Sequence, residues 1–138
     1  MIPLNLKINT DGGSRGNPGP AAIGIVIKDE SQKLIHQFGK TIGTATNNIA
    51  EYQAVIAALN WLNQKNLSLE SIHFFLDSTL VVNQLNGLWK VKDPNLRQKV
   101  IKIRQLEAPL KTKITYQAIP REKNFEPDAL LNQALDQA

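Results

Sequence analysis

Two carboxylates lie at the ends of predicted β-strands, where side chains could bind a ligand or a metal ion. Asp11 follows the alternating run that begins at Leu4, and Asp77 ends the apolar, aromatic-rich run SIHFFL. Both patterns are typical of β-strands, and ligands gather at the carboxyl ends of parallel strands. If the two strands are parallel neighbours, their axes lie about 4.8 Å apart. Carboxylates that close repel unless a cation lies between them, so we interpret Asp11 and Asp77 as the centre of a divalent-metal site.

Each carboxylate also has a simpler explanation. Asp11 could be a turn residue before Gly12, and Asp77 could cap a helix beside Ser78. Glu51 and Asp128 cannot be selected by spacing: Glu51 is predicted on the exposed face of an apolar helix, and Asp128 in the first turn of the last helix. A negative charge in a first helical turn is favourable without any catalytic role.

Periodicity predicts the element order β-β-β-α-β-α-α-β-α. A helix between the third and fourth strands requires a crossover connection, so the fold class is α/β, with a mixed sheet and helices packed on its faces. The predicted strands are residues 4–11, 21–28 and 34–42, followed by the runs SIHFFLDS and KITYQAIP. The short segment DESQK separates the second and third strands as a hairpin.

Composition narrows the class of protein further. The chain has 138 residues and no cysteine, which excludes disulfides and thiolate metal sites and suits a cytoplasmic location. No apolar run approaches the length of a membrane span, and no signal peptide is evident. We expect residues 1–138 to form a single domain. The net charge is +4, and residues 89–138 hold ten basic against six acidic residues, a pattern that fits a polyanionic partner or an ordinary basic surface.

An ordered set of motifs resembles ribonuclease H type 1 over practically the whole chain. The motifs are TDGGSRGNPGPAAIG, TNNIAEYQAVIAAL, LDSTLVVNQLNG with WKVKDPNLR, and PREKNFEPDALLNQALD. The resemblance implies the ribonuclease H-like fold, a five-stranded mixed sheet flanked by helices. Any one motif alone would be weak evidence, whereas four in the right order are specific.

The resemblance implies a reaction and its catalytic groups. It carries the family's four catalytic carboxylates onto Asp11, Glu51, Asp77 and Asp128, which would hold two Mg²⁺ or Mn²⁺ ions. The implied reaction is endonucleolytic hydrolysis of the RNA strand of an RNA–DNA hybrid by two-metal-ion catalysis. It leaves 5′-phosphate and 3′-hydroxyl ends.

The same resemblance implies a surface for the hybrid. The bare backbone of Gly12 and Gly13 would lie beside the RNA, whose 2′-hydroxyls distinguish it from DNA. Trp89 and Lys90 would contact the DNA strand by stacking and charge, although Trp89 could equally be a core aromatic. The full set expected to bind substrate is Gly12, Gly13, Ser14, Asn17, Thr46, Asn47, Asn48, Ser78, Trp89 and Lys90.

The chain departs from the family pattern in several places. Many members have a histidine in the loop before the last aspartate, but PREKNFEP has none, and Arg121 is our candidate for part of that role. His36 and His73 are predicted in strands and interpreted as structural. Thr79, Pro127 and Leu131 also differ from the usual residues, and the segment between Gly87 and Asn95 is too short for the basic handle helix of some members.

Two alternative functions remain open. The chain could be a catalytically inactive module that binds RNA or hybrid, or a nuclease that also cuts double-stranded RNA. The presence of all four acids argues against the first, because clustered negative charge repels phosphates. We expect a monomer whose partner is nucleic acid rather than a membrane.

Overall fold

The strands and helices occur in the predicted order. A computed structural model describes residues 2–138. The strands are β1 (Leu4–Ser14), β2 (Gly19–Lys28), β3 (Leu34–Ala45), β4 (Leu69–Leu76) and β5 (Lys113–Ala118). The helices are α1 (Asn47–Gln64), α2 (Thr79–Leu85), α3 (Pro94–Glu107) and α4 (Phe125–Asp136), with single 3-10 turns at Ala108–Leu110 and Arg121–Lys123.

The five strands form one mixed sheet in the order β3-β2-β1-β4-β5. The first three are antiparallel, as short hairpin connections require, whereas β1, β4 and β5 run parallel. Helix α1 forms the crossover from β3 to β4, and α2–α3 form the crossover from β4 to β5. The sheet therefore makes β1 and β4 parallel neighbours, which confirms the predicted arrangement.

Strand β1 is longer than predicted. It continues to Ser14 because Gly12 and Gly13 still pair with Ile23 and Ala22 of β2. Pairing with β4 ends earlier, at Asn9 opposite Phe75. Asp11 thus lies inside β1 rather than at its end, which corrects the predicted boundary. It nevertheless lies just beyond the last residue that pairs with β4, where the two strands diverge.

Alternation along the strands divides the core between two helix layers. Leu6 and Ile8 of β1 are fully buried and pack with α1, as do alternate isoleucines of β2. On the opposite face Ala22 packs with Leu131 of α4. The closest approach there is at Gly24, where a Cβ atom would lie 1.9 Å from the carbonyl oxygen of Pro127. Glycine at this position lets the beginning of α4 rest directly on the sheet.

No helix within residues 2–138 combines the length and the apolar composition needed to cross a bilayer. The segment between α2 and α3 is short, residues 86–93, as predicted for a chain without a handle helix.

Candidate active site

Three carboxylates from three different elements meet at one place. Oxygen atoms of Asp11, Glu51 and Asp77 all lie within 4.8 Å of one another. Asp11 comes from β1, Asp77 directly follows β4, and Glu51 lies on α1. The predicted pair at the parallel strands is therefore present, and a third acid joins it from the helix that covers them.

The chain around Asp77 is fixed by the start of α2. Ser78 is the N-cap, and its hydroxyl accepts a hydrogen bond from the backbone N–H of Val81 at 3.2 Å. The side chain that caps the helix is thus that of Ser78, and the carboxylate of Asp77 is left for the cluster. This outcome excludes the simpler capping explanation for Asp77.

Glu51 differs from the sequence interpretation. It was expected on an exposed face in a first turn, but the residue is only 6% exposed and lies beyond the first turn of α1. Its Oε1 accepts a hydrogen bond of 2.6 Å from the backbone N–H of Gly12. A Cβ atom on Gly12 would lie 2.1 Å from the carbonyl oxygen of Ala50. The close approach that Gly12 permits is therefore that of α1 itself, and it brings Glu51 to the sheet.

Burial and mutual repulsion make the cluster electrostatically costly. Burial raises the pKa of Asp11 to about 7, with further contributions from the charges of Asp77 and Asp128, while a hydrogen bond with Glu51 opposes the rise. Burial likewise raises the pKa of Glu51, and the adjacent Asp11 adds to it. The pKa of Asp77 is also raised by burial, although the guanidinium of Arg121 counteracts the effect.

The same cluster fits a divalent cation. The Oε2 atom of Glu51 is buried and has no hydrogen-bond partner among residues 2–138. A buried, unpartnered carboxylate oxygen is unfavourable unless something positive meets it. Three carboxylates with oxygen atoms within 4.8 Å of one another supply the hard oxygen donors that Mg²⁺ and Mn²⁺ prefer.

Asp128 faces the same cleft without belonging to the three-acid cluster. The cleft measures about 340 Å³ and includes all four predicted carboxylates. Asp128 lies in the first turn of α4, and Asn132 donates hydrogen bonds to its carbonyl oxygen at 3.0 Å and to its carboxylate at 3.3 Å. Other predicted site residues in the cleft are Gly12, Gly13, Ser14, Asn47, Asn48, Ser78 and Arg121.

Asn124 is a site residue that the sequence analysis missed. It is completely buried between the 3-10 turn that carries Arg121 and the start of α4. Its Nδ2 donates to the carbonyl oxygen of Thr10 at 2.9 Å, and its Oδ1 accepts from Asn9 at 2.9 Å. The loop is thus fastened to β1 next to Asp11. No local pattern distinguishes this asparagine from an ordinary loop residue.

Some of the asparagines expected to bind substrate already make hydrogen bonds within the protein. Asn47 Oδ1 accepts from the backbone N–H of Ser14 at 2.9 Å, and Asn17 Oδ1 accepts from the backbone N–H of Asn47 at 3.0 Å. Thr46 is the N-cap of α1, accepting from Ile49 at 3.2 Å. The predicted set continues into a second cleft of about 450 Å³, which includes Asn17, Thr46, Asn47 and Asn48.

The remaining predicted residues lie outside both clefts. Trp89 is 48% exposed and Lys90 is exposed, on the segment between α2 and α3, so Trp89 is not a core aromatic. His36 in β3 stacks on Trp61 of α1 with ring centroids 4.7 Å apart, and His73 in β4 shares a hydrogen bond with Thr115. Neither histidine reaches the carboxylates.

Comparisons with known proteins agree with this geometry. The family described as Reverse transcriptase-like matches residues 9–134. The chain is 45% identical over 129 residues to ribonuclease HI of Halobacterium salinarum, which covers 93% of the chain and 63% of that relative. The chain therefore spans less than two thirds of the length of this curated relative.

Solved structures give the same relationship. The crystal structure of RNase H1 from the halophilic archaeon Halobacterium salinarum NRC-1 superposes with a TM-score of 0.90 at 42% identity, covering 97% of this chain and 99% of that one. LC11-RNase H1, solved in complex with an RNA/DNA hybrid, superposes with a TM-score of 0.91 at 42% identity, covering 96% and 97%. Together with the carboxylate cluster and the sheet topology, these matches show that the chain belongs to the ribonuclease H type 1 family.

Proposed function

We propose that this chain is an endonuclease that hydrolyses the RNA strand of RNA–DNA hybrids, leaving 5′-phosphate and 3′-hydroxyl ends. The observation that carries the proposal is the meeting of Asp11, Glu51 and Asp77 around a buried carboxylate oxygen that has no partner. Family membership supports it, as does the hybrid bound to LC11-RNase H1.

The proposed cofactor is Mg²⁺ or Mn²⁺, two ions held by Asp11, Glu51, Asp77 and Asp128. Held there, such ions would supply the activation of a water for attack and the stabilisation of charge on the departing 3′-oxygen. Glu51 is oriented for this task by the N–H of Gly12. Arg121 faces the same cleft, where its guanidinium is suited to grip a phosphate.

The polar backbone and amides around the cleft would hold the RNA. Ser14 lies beside Asn47 at the cleft wall, and an amide side chain carries donor as well as acceptor groups. Such donors suit the 2′-hydroxyl, which both donates and accepts hydrogen bonds. Trp89 and Lys90 lie apart from the carboxylates and are proposed to meet the DNA strand. Monomeric state and cytoplasmic location stay predictions from the sequence.

One cleavage assay tests the proposal. An end-labelled RNA is presented single-stranded, in RNA duplex and in DNA hybrid, each with Mg²⁺, Mn²⁺ or EDTA. We expect internal, metal-dependent cuts in the hybrid and near-complete loss of cleavage in Asp77→Asn. The matched control is Glu70→Gln, which neutralises an exposed acid at the opposite end of β4 and should retain activity.

Each contrary result has a distinct meaning. Binding without cleavage would identify an inactive hybrid-binding module, and cuts in the RNA duplex would widen the substrate class. Full activity of Asp77→Asn in the presence of metal would overturn the assignment of the carboxylates.

A further inference from the structure

The segment that carries Trp89 is held in place by polar side chains from neighbouring helices. We name Leu88–Lys92 the 88–92 loop. Leu88 is 72% exposed and Trp89 48% exposed, so apolar packing alone does not fix the first part of the loop. The backbone N–H groups of Leu88 and Trp89 donate to the carbonyl oxygen of Asn83 at 2.9 and 3.2 Å. The loop is therefore anchored to the last turn of α2 at its beginning.

Gln84 holds the middle of the loop from within the protein. This residue lies on α2 and is only 7% exposed. Its Nε2 donates to the carbonyl oxygen of Lys90 at 3.4 Å, and its Oε1 accepts from the hydroxyl of Tyr52 at 2.5 Å. A carbonyl oxygen can only accept, so the amide has one orientation that satisfies both partners.

The other partner of Gln84 belongs to α1, the helix that carries Glu51. Tyr52 is fully buried and follows Glu51 directly in α1. Its hydroxyl lies 2.5 Å from Gln84 Oε1 and donates to that oxygen, because an amide oxygen can only accept. A continuous chain of hydrogen bonds thus connects the residue beside Glu51 with the backbone of Lys90.

Arg97 completes the attachment from the side of α3. Its Nε and Nη2 atoms donate to the carbonyl oxygen of Val91 at 3.2 and 3.1 Å. This guanidinium is directed at the loop backbone, although its charge alone would suggest a phosphate contact. The loop is consequently fixed at consecutive carbonyl groups by two side chains from two helices.

We propose that Gln84 is a positioning residue, which holds the 88–92 loop at a set place relative to Glu51 so that Trp89 and Lys90 meet the DNA strand while the RNA strand lies on the carboxylates. This inference rests on the proposed hybrid substrate. A loop ordered in advance does not have to be ordered during binding, which improves affinity. Gln84 acts through the loop and touches no carboxylate, so it should affect KM more than kcat.

The test replaces Gln84 by leucine, which keeps the volume and removes both hydrogen bonds. We expect Gln84→Leu to raise KM for the hybrid about tenfold, within the range of the lost stacking of one base, while kcat changes less than about twofold. The matched control is Asn63→Ala, which removes an amide that joins α1 to the carbonyl oxygen of Leu106 in α3, away from the loop. This control should leave both constants unchanged.

A second readout needs no substrate. In a Trp61→Phe background Trp89 is the only tryptophan, and its quenching by acrylamide reports the order of the loop. We expect Gln84→Leu to increase the quenching constant about twofold, in line with a loop released to solvent. Arg97→Lys keeps the charge and loses the paired contact, so it should shift KM and quenching in the same direction even if Gln84→Leu folds poorly.

A double-variant cycle distinguishes positioning from a general loss of structure. If Gln84 acts through Trp89, then Gln84→Leu has little further effect on KM in a Trp89→Ala background. Additive effects of Gln84→Leu and Trp89→Ala, or a Gln84→Leu variant with normal KM and quenching, would overturn the inference. Absence of hybrid cleavage by the wild-type chain would instead refute the proposed function, while the quenching result would still report on the loop.

Discussion

The absence of a side chain at Gly12 allows α1, the helix that carries Glu51, to pack closely against the sheet. A Cβ atom there would lie 2.1 Å from the carbonyl oxygen of Ala50. The backbone N–H of the same glycine donates the hydrogen bond that orients Glu51. At the neighbouring Gly13 a Cβ would meet nothing closer than 3.7 Å. The two adjacent glycines therefore have different roles: Gly12 is required for packing, whereas Gly13 leaves backbone open at the cleft.

This difference gives a prediction at the residue scale. We expect Gly12→Ala to lower the free energy of unfolding by about 3 kcal/mol, since a backbone contact must move to admit the methyl group. Gly13→Ala should change the same quantity by no more than about 0.5 kcal/mol. Urea unfolding of both variants provides the measurement. Equal stability of the two would show that α1 can shift away from β1 without cost.

Arg121 supports a second residue-scale prediction. Its charge counteracts the raised pKa of Asp77, and its side chain faces the cleft. We expect Arg121→Ala to lower kcat about tenfold, as for the loss of one charged hydrogen bond to a phosphate, while the Mg²⁺ concentration for half-maximal activity stays within about threefold, because no ligand is removed. The matched control is Lys123→Ala, which removes the same charge from the same turn. Wild-type kinetics in Arg121→Ala would show that this residue has no part in catalysis.

At the scale of elements, the site depends on how loops are fastened to strands. The turn that carries Arg121 leads into α4, which carries Asp128, and neither belongs to β1 or β4. Asn124 connects this segment to β1 through Thr10 and Asn9, with both hydrogen bonds inside the protein. The relative position of Asp11 and Asp128 is thus set by a side chain that does not itself face the substrate.

The prediction at this scale concerns Asn124→Ala. We expect the free energy of unfolding to fall by about 2–3 kcal/mol, because the buried carbonyl of Thr10 and the partly buried amide of Asn9 lose their partner. We expect kcat to fall as well, by about tenfold, since small displacements of catalytic groups are costly. Urea unfolding and hybrid cleavage are measured on the same preparation. Full kcat in a destabilised variant would mean that α4 is positioned by its packing on β2 alone.

At the scale of the whole molecule, the cluster of Asp11, Glu51 and Asp77 lowers the stability of the metal-free protein, and it forms the proposed cation site. Asp11 has a pKa of about 7 in the folded protein against an ordinary value of 3.8, so the folded state holds this proton more tightly than the unfolded state. The resulting stability is present at low pH and is lost as pH rises from about 4 to about 7. A divalent cation bound by the cluster would offset the burial and the repulsion that cause this loss.

The corresponding prediction uses Asp11→Asn in EDTA. At pH 8 we expect the metal-free variant to exceed the wild type in free energy of unfolding by about 2–4 kcal/mol, as a pKa raised by burial implies. At pH 4 the two proteins should be nearly equal, because Asp11 is then protonated in the folded wild type. Adding Mg²⁺ at pH 8 should stabilise the wild type more than the variant. Equal metal-free stability at pH 8 would contradict the electrostatic cost assigned to the cluster.

Much of the fold could be predicted because its signals are local. Alternation along residues 4–11 and helical spacing after Thr46 depend only on neighbouring side chains, and a helix between two strands dictates a crossover. The order of elements follows from these rules, whereas the proximity of Asp11 to Asp77 requires their strands to be parallel neighbours, which the resemblance to the family implies. Strand limits were less accurate, since β1 and β3 each continue for as long as β2 offers a partner.

Periodicity in the sequence predicted the element order, a mixed sheet and two candidate carboxylates, while the resemblance to the family added the adjacency of their two strands, Glu51, Asp128 and the substrate surface. Three contacts became visible only in the folded protein: Glu51 is buried against Gly12, Asn124 fastens the last loop to β1, and Gln84 joins α1 to the 88–92 loop. The physical reason is that burial and hydrogen-bond partners at these positions come from residues distant in the chain. Such contacts exist only after the sheet and helices have packed.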